Sequence, residues 1–173
     1  KCPEGQQHQG INQEYETCEA CVKGKFSVGT NDTSCLSCAA GMFANTTGRT
    51  KCTDCLVGQY TREPGQPTCA LCLYGQYQNA AKQGSCKPCA AGMFSDEIGT
   101  AACKPCAKGR YVEQTDEGKA SCAACLAGKY GDAPGQSAGS ACKDCGAGNY
   151  NSAAGASEAT QCTECPVGKY GTL

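Results

Sequence analysis

Large apolar side chains recur along this chain neither at helical spacing nor at every second residue, so neither an ordinary helix nor a long half-buried strand is expected. What recurs is a register of cysteine, glycine and aromatic ring. Nine Cys-x-x-Cys pairs begin at Cys18, Cys35, Cys52, Cys69, Cys86, Cys103, Cys122, Cys142 and Cys162, in steps of 17 residues as far as Cys103 and then of 19, 20 and 20. Three residues after each second cysteine stands a glycine: Gly24, Gly41, Gly58, Gly75, Gly92, Gly109, Gly128, Gly148 and Gly168. Two residues later comes an aromatic: Phe26, Phe43, Tyr60, Tyr77, Phe94, Tyr111, Tyr130, Tyr150 and Tyr170. A unit C-x2-C-x2-G-x-[FY] at a fixed period predicts a repeat architecture. The stretches between aromatic and next pair are rich in Gly, Pro, Asn, Asp and Ser, which is turn chemistry. The pattern therefore predicts little regular secondary structure, with short two-stranded ribbons at most. The repeated glycine is expected to take a positive φ or to admit another backbone. The aromatic is expected to cover a disulfide of its own or the neighbouring repeat, and the excess of Tyr over Phe fits half-exposed rings whose hydroxyls reach water.

Residues 1–17 read as a partial leading repeat, with Cys2 and Gly5 in the places of second cysteine and glycine and Gln7 where the aromatic belongs. This is the least regular segment. Residues 18–170 hold nine tandem repeats of 17–20 residues, the last truncated, so both ends are expected to cut a repeat. No linker or domain boundary interrupts them. The loops that run from one second cysteine to the next first cysteine span 14 positions from Cys21 to Cys103, 16 from Cys106 to Cys122 and 17 in the last two. The extra residues are expected just after the aromatic, in stretches such as Gly131-Asp132-Ala133-Pro134-Gly135, where insertion at a loop tip costs little.

Composition moves the stabilising burden onto sulfur. The chain has 173 residues and 19 cysteines, but only six Leu, two Ile, five Val and three Phe. That is too little for a globular core and matches a disulfide scaffold. Closing a loop of about 15 residues removes roughly 3 kcal/mol of unfolded-state freedom in the chain-entropy model. The net charge of −1 is made of scattered charges, so there is no polybasic stripe for nucleic acid or an anionic membrane. No stretch approaches the 18 apolar residues that would span a bilayer.

Catalytic chemistry has almost no material. His8 is the single histidine and reads as a solvated surface residue, and the acidic residues are scattered in loops with no recurring constellation. No catalytic residue, bound metal or cofactor is expected. Paired Cys-x-x-Cys motifs suit zinc in a reducing compartment. Yet zinc needs two pairs per ion, the steps show no such alternation, and zinc makes no use of the glycine and aromatic. A zinc-binding array stays as an alternative. Thioredoxin-like chemistry needs one reactive pair at a helix N-terminus, which nine equivalent pairs do not provide. Two N-glycosylation acceptors occur in loops shortly after the aromatic, Asn31-Asp32-Thr33 and Asn45-Thr46-Thr47, where a secreted loop would carry sugar. Ser27, Thr46, Thr47, Thr61, Ser95 and Ser152 are loop hydroxyls that could take O-linked sugar, without a motif to single them out.

The register C-x2-C-x2-G-x-[FY] followed by a loop and a further cysteine resembles the ephrin-receptor-like cysteine-rich repeat, also called the growth-factor-receptor cysteine-rich or GCC2/GCC3-type repeat. It is distantly similar to the cysteine-rich modules of tumour necrosis factor receptors, whose crossing-disulfide modules have no counterpart here. The resemblance covers Cys18 to Tyr170, with a partial match at Cys2 to Gly5. It implies local disulfides that close each glycine–aromatic loop. These would be Cys2–Cys18, Cys21–Cys35, Cys38–Cys52, Cys55–Cys69, Cys72–Cys86, Cys89–Cys103, Cys106–Cys122, Cys125–Cys142 and Cys145–Cys162. That assignment treats every repeat alike and leaves Cys165 unpaired; bonding within each pair would leave the long loops open. The resemblance carries over no catalytic residue. The expected molecule is a small disulfide-rich repeat array forming an elongated rod. It would be an extracellular or cell-surface structural glycoprotein, a stapled stalk or filament subunit with covalent glycans. Its partners would be further copies of itself or other extracellular proteins. The first alternative is a receptor or adhesin ectodomain that binds a protein ligand. The aromatics and their disulfides are expected to face inward, with Thr46, Asp96 and Asp132 outward.

Overall fold

A computed structural model describes residues 1–12, 15–30, 32–113 and 118–169. Each second cysteine leads into a tight turn that the repeated glycine completes. In the loop opened by Cys38, the Met42 amide donates to the Ala39 carbonyl at 3.0 Å while Gly41 sits at φ +80°. A left-handed third residue is the mark of a type II turn and explains why glycine stands there. The chain leaves this turn as a two-residue strand that ends on the aromatic. That strand pairs with the two residues just inside the next Cys-x-x-Cys, so that Met42 faces Asp54 and Phe43 faces Thr53. The same antiparallel ribbon is built eight times: β3 (Lys25–Phe26) with β4 (Leu36–Ser37), β5 (Met42–Phe43) with β6 (Thr53–Asp54), β7 (Gln59–Tyr60) with β8 (Ala70–Leu71), β9 (Gln76–Tyr77) with β10 (Lys87–Pro88), β11 (Met93–Phe94) with β12 (Lys104–Pro105), β13 (Arg110–Tyr111) with β14 (Ala123–Ala124), β15 (Lys129–Tyr130) with β16 (Lys143–Asp144), and β17 (Asn149–Tyr150) with β18 (Thr163–Glu164).

The leading segment, irregular in its repeat pattern, is nonetheless paired. It holds the longest ribbon, β1 (Gln6–Asn12) against β2 (Tyr15–Ala20), with a break in register between His8 and Ile11. Between Gly5 and Cys18 stand no proline and one glycine, so little interrupts pairing there. The extra residues of the last two loops are placed differently from expectation. Gly135 and Gly155 hold the ordinary loop-tip position, seven residues past the repeated glycine, as Gly48 and Gly65 do. The insertions follow the tip and coil into 3-10 turns, Gly139–Ala141 and Ala159–Gln161. At the tip of the Cys72 loop Lys82 takes the glycine's place at φ 60°.

Burial leaves the rings half-exposed, as the excess of Tyr suggested, and so revises the expected inward set. The second cysteines from Cys2 to Cys125 are at most 1% exposed. The rings of Phe26, Phe43, Tyr60, Tyr77, Phe94, Tyr111 and Tyr130 are only half-buried, and Tyr150 is exposed; Tyr170 lies outside the described residues. The residue after each ring is the buried one: Ser27, Ala44, Thr61, Gln78, Ser95 and Val112. Successive side chains of an extended chain point to opposite faces. The inner face here takes the residue after the ring, from Ala44 and Ser27 up to Gln78.

Contacts divide the chain into two compact units, Lys1–Cys72 with Gln78–Cys86, and Leu73–Tyr77 with Lys87–Leu173. Within the first, each loop is laced to the next by backbone hydrogen bonds. The Gly5, Gly24 and Gly41 amides donate to the carbonyls of Ser27, Ala44 and Thr61, and those three residues donate onward to Arg49, Gln66 and Gln83. Gly48, Gly65 and Lys82 donate from their loop tips back to Cys21, Cys38 and Cys55, each at 2.8 Å. The second unit repeats the lacing: Gly75, Gly92 and Gly109 donate to Ser95, Val112 and Gly131, and Gly118, Gly135 and Gly155 donate back to Cys89, Cys106 and Cys125. Contact also skips a loop. A Cβ on Gly24 would stand 1.9 Å from the Gly65 carbonyl oxygen, and one on Gly92 would stand 2.2 Å from that of Gly135. The repeated glycine therefore answers both expectations at once, a left-handed φ and the close passage of another backbone.

Candidate functional site

The repeated chemistry of this chain is its disulfides, and the fold positions each one through the ribbon it closes. The structure joins Cys2 to Cys18, Cys21 to Cys35, Cys38 to Cys52, Cys55 to Cys69, Cys72 to Cys86, Cys89 to Cys103, Cys106 to Cys122, Cys125 to Cys142 and Cys145 to Cys162. Their Cα–Cα separations run from 5.4 Å at Cys2–Cys18 to 5.9 Å at Cys106–Cys122, the ordinary span for such a bond. Cys165 is free and half-buried. The two sulfurs of a bond differ in surroundings. The second cysteine of a pair is sealed under the neighbouring loop, whereas Cys35, Cys52, Cys69, Cys86 and Cys103 at the first position are half-exposed. A sulfur bonded to sulfur is not a thiolate, so these eighteen residues do not offer a metal its ligands. Among the described residues no group of three or more His, Cys, Asp or Glu stands where it could hold a metal ion. His8 lies in β1 opposite Cys18.

Of the two sugar acceptors, Asn45 is exposed, as are Thr46 and Thr47 beside it; Asn31 lies outside the described residues. Three of the hydroxyls considered for O-linked sugar are inside the ladder. Ser27 donates to Asp32 Oδ2 at 2.6 Å, Thr61 Oγ1 accepts from the Gly41 amide at 2.7 Å, and Ser95 donates to the Glu97 carbonyl at 2.9 Å. All three are at most 3% exposed, so no transferase reaches them in the folded chain. They stand one residue after the ring, and their short polar side chains satisfy turn backbone that would otherwise be buried without partners. Sequence reading missed this inner column. Its signal was the run of small or polar residues immediately after each aromatic.

Charged side chains form local pairs on the surface. Lys104 reaches Asp96 at 2.9 Å and Glu97 at 2.7 Å, and Lys143 reaches Asp132 at 2.6 Å. The hydrogen bonds to Asp96 and Glu97 push the Lys104 ammonium above its ordinary range, and the same contacts hold Asp96 and Asp132 below theirs. These groups are wet on all sides and contribute little to stability; they also break up any field of one sign. Two notches of about 290 and 250 Å³ open on the surface of the first unit, one beside Phe26, Ala39 and Met42, the other beside Tyr60, Arg62 and Glu63. Among the described residues no helix is long and apolar enough to cross a membrane.

A family model described as tyrosine-protein kinase ephrin type A/B receptor-like matches the chain three times, over residues 24–66, 58–102 and 92–140. Together these cover more than half of the chain. The first match runs from Gly24 to just past Gly65, and the third from Gly92 past Gly135, so each contains one skip-a-loop contact between repeated glycine and loop tip. The comparison with curated proteins finds no match.

Proposed function

Since the chain belongs to the tyrosine-protein kinase ephrin type A/B receptor-like family of cysteine-rich repeats, we propose that it is an extracellular structural glycoprotein, a disulfide-stapled segment of a stalk or filament. Repeats of this family are non-catalytic, disulfide-rich modules. The observation that carries the reading is the backbone lacing within each unit. From Gly5 to Gly109 the described loops spend their amides and carbonyls on neighbouring loops in the same way, which is how a linear array gains stability from contact between successive units. An oxidising compartment suits eighteen bonded cysteines. The reading includes N-linked sugar on Asn45 and Asn31, and association with further copies or with other extracellular proteins. Electron microscopy of native material tests it: filaments or stalks are expected, and material that behaves only as small compact particles overturns it.

A second reading is a receptor or adhesin ectodomain that binds a protein ligand. It is favoured by exposed apolar side chains in the first unit, where Leu36, Leu56 and Val57 are 54%, 65% and 49% exposed. Binding of a purified candidate ligand that is lost on Leu56→Asp, with the disulfides intact, would move the assignment to this reading.

A further inference from the structure

Along the exit from β5, burial alternates. Phe43 is half-exposed, Ala44 is fully buried and Asn45 is exposed. Residues two apart on extended chain emerge on one face, so the ring of Phe43 and the amide of Asn45 both come out on the outer side of the loop. The backbone between them is pinned on both sides: Ala44 accepts from the Gly24 amide at 2.9 Å and donates to the Gln66 carbonyl at 3.3 Å. Six of the nine repeated aromatics are Tyr; Phe43 leaves part of a wholly apolar ring exposed. The first sugar of an N-linked glycan is N-acetylglucosamine. One face of its ring is a patch of polarised C–H bonds, and the face of an aromatic ring is electron-rich and attracts such hydrogens.

We propose that Phe43 is the docking platform for the N-acetylglucosamine carried by Asn45, and that this non-covalent contact ties the glycan to the loop. The inference rests on the reading of Asn45 as a glycosylated residue. It separates the two acceptors, because Gly29 stands two residues before Asn31 where Phe43 stands before Asn45. The glycan then has a structural role besides solubility. It covers apolar ring surface and resists opening of the loop closed by Cys38 and Cys52.

The test uses the whole chain secreted from a glycosylating host, with the glycan trimmed to a single N-acetylglucosamine. Mass spectrometry first reads occupancy at Asn45. Nuclear magnetic resonance of the trimmed protein then reads the sugar protons, which a ring beneath them shifts upfield. Melting is compared with and without the sugar, using Thr47→Ala to prevent its attachment, in the natural chain and in Phe43→Leu. The expected results are upfield sugar protons in the natural chain and ordinary positions in Phe43→Leu. Loss of the sugar is expected to lower the melting temperature by about 2–4 °C in the natural chain and to leave Phe43→Leu unchanged. Unshifted sugar protons in the natural chain overturn the proposal and leave the glycosylation reading standing, whether or not the leucine variant folds. An equal melting loss in both chains does the same. A bare Asn45 overturns both.

Discussion

The repeated glycine carries two separate demands, and the chain contains positions that divide them. Gly24 sits at φ +83° with the Gly65 carbonyl oxygen where a Cβ would go, whereas the loop-tip Gly48 sits at φ +69° with its nearest neighbour, the Ala20 Cβ, at an ordinary 3.8 Å. Alanine at Gly48 meets only the left-handed backbone, a cost of about 1–2 kcal/mol. Alanine at Gly24 adds a collision with backbone that cannot swing aside. Native-state hydrogen exchange should show Gly48→Ala as a modest local loss. Gly24→Ala should in addition strip protection from the Gly65 amide, which is laced to Cys38. Equal effects at the two sites would mean that close passage of the backbones matters little. Ser27 invites a second measurement. Its hydroxyl, and after it the Gly29 amide, hold the Asp32 carboxyl below the usual carboxylate range. A depressed folded-state value means that the contact stabilises above the ordinary carboxylate pKa and is lost as pH falls through the folded value. Ser27→Ala should therefore move the Asp32 titration upward, toward the ordinary range, by resonance titration; an unmoved titration would show that the hydroxyl does not carry the effect.

Each stapled loop is the element on which neighbouring loops stack, so removing one staple should be felt beyond its own loop. Replacing Cys106 and Cys122 together by serine opens a loop of sequence separation 16, and the chain-entropy model puts the loss at about 3 kcal/mol. Amide exchange should rise for Gly135, whose donor bond runs to Cys106, and for Cys125, whose amide is laced to Gly109. Protection confined to its former level outside residues 106–122 would show that the loops are stapled beads without coupling. Short ribbons, a ladder of disulfides and left-handed glycines were legible in the sequence, because cysteine spacing and a glycine before a ring each state a local geometry. What was not legible depends on contacts between loops. The passage of Gly24 against Gly65 joins residues 41 apart, and no single-repeat pattern encodes it. The rings were expected to face inward over the disulfides and, where Tyr, to stay half-exposed; they are half-exposed, and the residue after the ring, from Ala44 and Ser27 to the larger Gln78, is the one that is buried. The stretch Gly131–Gly135 looked like an insertion because the longer loops were compared by total length, whereas lacing of Gly135 to Cys106 keeps the tip in place and moves the surplus into the turn after it. For the candidate site, exposure of Asn45 was legible from its place shortly after the aromatic in a loop too short to bury a polar side chain, and the fold leaves it exposed.

At the scale of the whole molecule the unusual quantity is how little apolar carbon leaves water. Outside cysteine, the buried apolar residues among those described are Ala44, Val112 and Ala156, while Leu56, Leu73, Leu126 and Val167 stand exposed. Heat capacity of unfolding measures newly hydrated apolar surface, and ordinary globular chains give about 12–15 cal/mol/K per residue. This chain should fall well below that range. Its loops stay closed when heated with the disulfides intact, so the denatured state remains compact and hydrates less surface than an open chain would. Calorimetry under oxidising conditions should therefore show a small heat-capacity step, and its enthalpy should come chiefly from the lost backbone lacing. Repeating the scan after full reduction separates the two contributions. The reduced chain has too few core formers to refold and should give no cooperative transition, because low hydrophobicity without staples leaves it disordered. A heat-capacity step in the ordinary range would require apolar burial that the nineteen cysteines and sixteen Leu, Ile, Val and Phe residues of this sequence do not supply within one chain. Such a result would point to burial between chains, and the dependence of the step on protein concentration would then decide it.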